Sequence, residues 1–106
     1  MHKAAFVMTL RPGAYPGYKK AHDECWPELL DFSRSCGVSM VIYKRGDQLF
    51  VFATTPTEQH WLKSREGPLV EKWNTFMTQY LETDEDGSIR FEEVETAFTS
   101  GDFADE

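Results

Sequence analysis

Hydrophobic and polar positions along this chain change period several times, and each change marks an element. Lys3 to Leu10 (KAAFVMTL) is a nearly continuous apolar run that predicts a mostly buried strand, stopped by Arg11-Pro12-Gly13. From Tyr15 to about Cys36 the rhythm becomes helical. Tyr18, His22, Cys25, Trp26, Leu29, Phe32 and Cys36 recur at three or four residues and form one stripe. Pro16 suits the first turn of that helix and Gly37 suits its stop. Pro27 falls mid-pattern and removes a backbone donor, which predicts a kink near Asp23. Val38 to Lys44 and Gln48 to Thr55 are strands of a hairpin around Arg45-Gly46-Asp47. Thr57 opens a short helix through Ser64. Gly67-Pro68 opens another, with Leu69, Trp73, Phe76, Met77 and Tyr80 on its apolar face. After a loop from Glu82 to Gly87, the stretch Arg90 to Thr99 alternates Val94, Thr96 and Phe98 as a strand does. The acidic tail from Ser100 is expected to fray.

The order is β-α-β-β-α-β within a single domain over residues 1–106, an α+β chain of the ferredoxin-like kind. Its antiparallel sheet carries helices on one face and leaves the other open. An open apolar face of several hundred Å² calls for a partner, and symmetric pairing of two such sheets in a homodimer is the expected solution.

Charge narrows the partners. The formal net charge is -7, with no basic cluster beyond the pairs Lys19-Lys20 and Lys44-Arg45, so a phosphate backbone or an anionic membrane would be repelled. No apolar run approaches the roughly 20 residues of a spanning helix, and Met1 to Leu10 lacks the pattern of a signal peptide. On one helix Cys25 and Cys36 would stand roughly 16 Å apart at about 1.5 Å of rise per residue. A disulfide tolerates about 7 Å. Two free thiols then point to a reducing, cytoplasmic setting. Aromatic residues make up 14% of the chain, enough to fill a core and still line a pocket.

Three groups of residues could carry chemistry. His22 has Tyr18 one turn before it and Trp26 one turn after it, so the continuous helix would put all three on one face. Such a histidine is either a core residue bonded to a backbone carbonyl or an acid–base group, since its ordinary pKa is about 6.5. Trp73-Asn74 pairs an indole face with an amide, a common way to hold a sugar, although Trp73 also fits a plain apolar helix face. Glu82 to Glu93 matches much of an EF-hand loop, with Asp84, Asp86 and Glu93 as oxygen ligands and Gly87 at the sharp turn. Against calcium, the first ligand position holds Glu82 where aspartate is usual, and no second loop exists to pair with it. His2, His22 and His60 show no zinc-ligand spacing with the two cysteines.

Phe6-Val7-Met8, then Tyr18-x-x-x-His22-x-x-x-Trp26-Pro27-Glu28-Leu29, then Gly37, Ile42-Tyr43, Trp61, Trp73 and Met77, resemble the L-rhamnose mutarotase family from about residue 3 to residue 98. The resemblance implies a dimeric α-β barrel that interconverts the α and β anomers of L-rhamnose, with no metal or organic cofactor. It implies that His22 is the proton-donating residue and Tyr18 a substrate contact. The family's Trp-Trp pair matches Trp73-Asn74, so its second member is changed, and a sugar-contacting tyrosine falls near Met40. Both departures bear on which sugar is bound, L-rhamnose or another 6-deoxy sugar such as L-fucose. The expected chemistry is ring opening, with protonated His22 donating to the ring oxygen and Trp73 stacking on the sugar. A non-catalytic sugar-binding or interaction module of the same fold is the first alternative, and an EF-hand-like calcium domain at 82–93 is the second.

Overall fold

A computed structural model describes residues 1–104 of the chain. Strand β1 (His2–Thr9) lies at the middle of a four-stranded antiparallel sheet with β2 (Ser39–Arg45), β3 (Gln48–Thr55) and β4 (Glu92–Glu93), in the order β2-β3-β1-β4. That strand order, with helices α1 (Tyr15–Asp23) and α2 (Pro27–Ser35) after β1 and α3 (Glu58–Ser64) and α4 (Pro68–Met77) after β3, is the expected ferredoxin-like arrangement. Ladder register sets which side chains share a face. Phe6 pairs with Val51 and Ile42 pairs with Val51, while Val7 and Tyr43 both pair with Phe50. Because side chains alternate along a strand, Phe6, Met8, Leu49, Val51 and Ile42 face the helices, and Val7, Val41, Tyr43, Phe50 and Phe52 face the other way.

The helix expected from Tyr15 to Cys36 is two helices. Glu24 ends α1 at φ -110°, and Trp26 takes φ -58°, ψ 126° before Pro27 opens α2 in its first turn. The ring of a proline crowds the residue before it out of the helical region. At Pro27 the result is a full break rather than a kink. Gly37 ends α2 in a left-handed conformation at φ +71°, as its position in the sequence predicts.

The last strand is also shorter than its alternation predicts. Only Glu92 and Glu93 pair with β1, and Val94 adds one longer backbone bond of 3.5 Å to the Ala5 carbonyl. Val94 and Phe98 are 49% and 82% exposed, so these apolar residues are not buried in the chain. Of the tail, Gly101–Phe103 form a single 3-10 turn whose Phe103 ring meets Phe52 edge-on at 5.5 Å, and residues 105 and 106 lie outside the described residues.

Between sheet and helices, Phe6, Met8, Leu10, Leu49 and Val51 pack against Tyr18, Met77, Leu81 and Ile89. Two backbone bonds fasten the start of α1 to this core: Leu10 N–H donates to the Asp47 carbonyl and Arg11 N–H to the Tyr80 carbonyl. Gly17 lets α1 approach closely, since a Cβ there would stand 2.5 Å from the Tyr80 ring. These contacts fix the pose of α1, and with it the direction of Tyr18 and His22.

Candidate active site

A cavity of about 210 Å³ opens between the helix-facing side of the sheet and the helices. Its wall includes Tyr18, His22, Trp73, Asn74, Met40 and Arg65. All four residues expected to touch a sugar therefore line one cavity, and so does Met40.

Helix α1 supplies the polar pair. The Tyr18 and His22 rings lie one turn apart with centroids 4.2 Å from each other and a 34° tilt. His22 Nδ1 stands 3.0 Å from the Tyr18 carbonyl oxygen. A carbonyl only accepts, so Nδ1 carries hydrogen, and in the neutral ring the lone pair sits on Nε2. Burial pulls the His22 pKa below its ordinary value, outweighing the Tyr18 carbonyl and Asp23, which raise it. Burial therefore favours the neutral ring, and a proton that His22 donates would first have to be taken up.

Tyr18 is only 4% exposed, yet its hydroxyl has no hydrogen-bond partner among the described residues. Burial, and secondarily Tyr15, push the phenol well above its ordinary range, so it stays a neutral O–H donor. A buried hydroxyl left unpaired costs about 1–3 kcal/mol. The same hydroxyl beside a cavity is a donor waiting for a ligand oxygen.

Helix α4 and the break after α1 supply the aromatic wall. His22 meets Trp73 edge-on at 5.3 Å, and Trp26 meets Trp73 edge-on at 5.0 Å. Trp26 also stacks on Phe76 at 5.8 Å. Tyr18 and His22 share the face of α1 as expected, but Trp26 does not. It precedes Pro27 on the far side of the break and reaches the cluster through Trp73. Asn74 follows Trp73 on α4 and turns to the cavity, where an amide can bond hydroxyls.

Other candidates resolve differently. Cys25 and Cys36 are free thiols; Cys36 is buried, and Cys25 lines the cavity with its pKa raised, chiefly by burial. His60 is exposed and sits 2.6 Å from the Thr57 hydroxyl, in the N-cap of α3. In the acidic loop, Arg90 takes up the groups that a cation would need. Its guanidinium donates to Asp84 Oδ1 at 3.1 Å, Glu82 Oε1 at 3.3 Å and the Thr83 carbonyl at 3.2 Å. Asp86 accepts from the Ser88 backbone and hydroxyl. Strand β4 follows this loop where an EF-hand needs a helix.

Arg65 is the cavity residue that sequence reasoning missed. It closes α3 as the C-cap residue, and its position carries no periodic signal, because the rings that half-bury it lie far away in the chain. An arginine four residues after Trp61 was the one available cue.

An imidazole and a phenol beside an aromatic wall are groups suited to one class of protein, the isomerases of carbohydrates. Residues 3–99 match the family model of L-rhamnose mutarotase, and the chain belongs to that family. It is 33% identical over 101 residues to an L-rhamnose mutarotase of Rhizobium johnstonii, covering 92% of this chain and 95% of that one. The crystal structure of an L-rhamnose mutarotase from Formosa agariphila superposes with a TM-score of 0.81 at 28% identity, over 95% of this chain and all of that one. Tetracenomycin F2 cyclase from Streptomyces glaucescens, at 19% identity, TM-score 0.61 and the same coverage, shares the fold. None of the described helices is long and apolar enough to cross a membrane.

Proposed function

We propose that the cavity binds L-rhamnose, or a 6-deoxy sugar of similar shape, and exchanges its anomers with His22 as the acid–base residue. One observation carries this reading: the Tyr18 hydroxyl has no partner and the carbonyl-anchored His22 leaves Nε2 free, and both line one cavity with Trp73 and Asn74.

The two oxygens on the anomeric carbon are neighbours, so one nitrogen can serve both in turn. Neutral His22 Nε2 accepts the proton of the anomeric hydroxyl as the C1=O bond forms and the bond from C1 to the ring oxygen breaks. The imidazolium then returns that proton to the ring oxygen, which leaves the open-chain aldehyde. Rotation about C1–C2 presents the other carbonyl face, and closure reverses both transfers. Tyr18 donates to a sugar oxygen, Trp73 covers the C–H face of the ring, and Asn74 bonds a hydroxyl. One positioned acid–base group contributes about 10² to 10⁴-fold, which suffices for a reaction already easy in water.

The working form is a homodimer in the cytoplasm, its protomers paired through the open sheet faces as a dimeric α-β barrel. Val41, Tyr43 and Phe50 on that face, with Val94 and Phe98 of the last segment, are exposed apolar residues that such pairing would bury.

The test is saturation-transfer NMR at the anomeric proton of L-rhamnose. Wild-type protein should accelerate exchange and His22→Ala should not. Sugar binding without acceleration in the wild type would make the protein a binding module instead.

A further inference from the structure

The cavity wall holds a cation that neutral-sugar exchange does not use. The Arg65 guanidinium is caged by three rings, 5.1 Å from the Phe6 centroid, 5.1 Å from Trp61 and 5.0 Å from Phe91. Phe6 comes from β1, Trp61 from α3 and Phe91 from the segment leading into β4, so the cage joins three parts of the fold. Rings can cover the faces of a guanidinium but accept none of its in-plane N–H hydrogens. Among the described residues no carboxylate, carbonyl or hydroxyl accepts from the Arg65 side chain. Burial alone pulls its pKa down, with no charged neighbour acting on it. The contrast with Arg90 is direct: that arginine, also half-buried, bonds two carboxylates and a carbonyl.

Among the described residues, no aspartate or glutamate lines the cavity, and Arg65 is its one permanently charged wall residue. Arg65 is half-buried, and a charge partly withdrawn from water gains from a partner that accepts its hydrogens. The guanidinium edge is a planar fork of donors, and its natural complement is a carboxylate held by two parallel bonds. A neutral deoxy sugar, with an apolar methyl at C6, leaves that fork without an anion.

From this geometry we propose that Arg65 makes the cavity a site for sugar acids: it accepts hexuronates, pyranoses with a carboxylate at C6, and pairs that carboxylate with the guanidinium edge. The proposal extends the sugar-exchange reading, since the anomeric carbon of a hexuronate would meet the same His22 and Tyr18. Arg65 then determines specificity between acidic and neutral sugars.

The experiment compares wild type, Arg65→Met and Arg65→Lys with D-galacturonate, D-glucuronate and L-rhamnose as probes. Anomer exchange is read by saturation-transfer NMR and binding by ligand-observed NMR. Arg65→Met keeps an apolar stem in the ring cage, and Arg65→Lys keeps the charge without the fork. The expected result is that wild type binds at least one hexuronate, and that Arg65→Met weakens this by about tenfold or more relative to its effect on L-rhamnose, with Arg65→Lys between. Hexuronate binding that depends on Arg65 without exchange of any sugar would uphold the proposal and remove the mutarotase reading. Exchange of L-rhamnose with no hexuronate bound would overturn the proposal and leave that reading standing. Equal hexuronate binding in wild type and Arg65→Met would also overturn it.

Discussion

His22 Nδ1 lies 3.0 Å from the carbonyl oxygen of Tyr18, one turn back on the same helix. This bond sets the tautomer of the neutral ring and directs Nε2 away from the backbone. It is also the bond that a purely structural histidine would make, so the bond alone decides nothing. What distinguishes the site is the unpaired Tyr18 hydroxyl and the cavity beside both rings.

The first prediction concerns pH. Burial lowers the His22 pKa, so under the proposed mechanism the neutral base is the working form from neutral pH upward. Anomer exchange should be level there and fall in acid, with a midpoint below about 6.5, the unperturbed value. The stability sign is the same. The unfolded chain takes up the His22 proton before the folded one does, so folding weakens as pH falls below about 6.5. An NMR titration of the His22 imidazole, with the pH profile of exchange, measures both. A midpoint above 6.5 would contradict the neutral-base assignment. His22→Asn should lower the acceleration by about 10²-fold or more.

Tyr18→Phe separates stability from function. The phenol is buried and its hydroxyl unpaired, so removing that oxygen relieves a desolvation cost of about 1–3 kcal/mol. The variant should melt at the same temperature as wild type or a higher one. Its sugar exchange should fall by about tenfold, the worth of one lost hydrogen bond. A lower Tm with unchanged exchange would mean that the hydroxyl serves the fold rather than the sugar.

The topology was legible in the sequence because apolar periodicity reports burial directly, as the β1 run and the hairpin strands show. Two elements were misjudged for physical reasons. Periodicity continues through Cys25 and Trp26 because both residues face the packed side, although Pro27 breaks the backbone between α1 and α2. Alternation at Val94, Thr96 and Phe98 persists where ladder pairing has ended, so there it does not report a strand. The cavity-lining Tyr18, His22 and Trp73 were legible because each sits in a helical stripe, and Asn74 as the neighbour of Trp73. Arg65 was not, because its cage is assembled from residues far apart in the chain.

Calcium should have no effect. Arg90 already occupies Glu82, Asp84 and the Thr83 carbonyl, and these are partly exposed pairs worth little individually. A thermal melt in millimolar Ca²⁺ should superpose on the melt without it. Arg90→Ala should lower stability by less than about 1 kcal/mol. A calcium-dependent rise in Tm of the wild type would revive the loop as a cation site.

The last prediction addresses the open face of the sheet. Tyr43 and Phe50 are cross-strand partners there, 66% and 38% exposed in one protomer. Burying a large apolar side chain contributes about 1.5–3 kcal/mol, and two-fold symmetry counts each side chain twice. In the proposed dimer, Phe50→Glu would put a carboxylate from each copy into the same desolvated interface, where like charges also repel. Sedimentation should show a dimer for the wild type and a monomer for Phe50→Glu at micromolar concentration. His22, Tyr18 and Trp73 line the cavity on the helix side of the sheet. The monomeric variant should therefore keep an intact Tyr18–His22 pair, seen as an unshifted His22 titration. A wild type that sediments as a monomer would remove the paired sheets from this reading, and the exposed Phe98 would then need another partner.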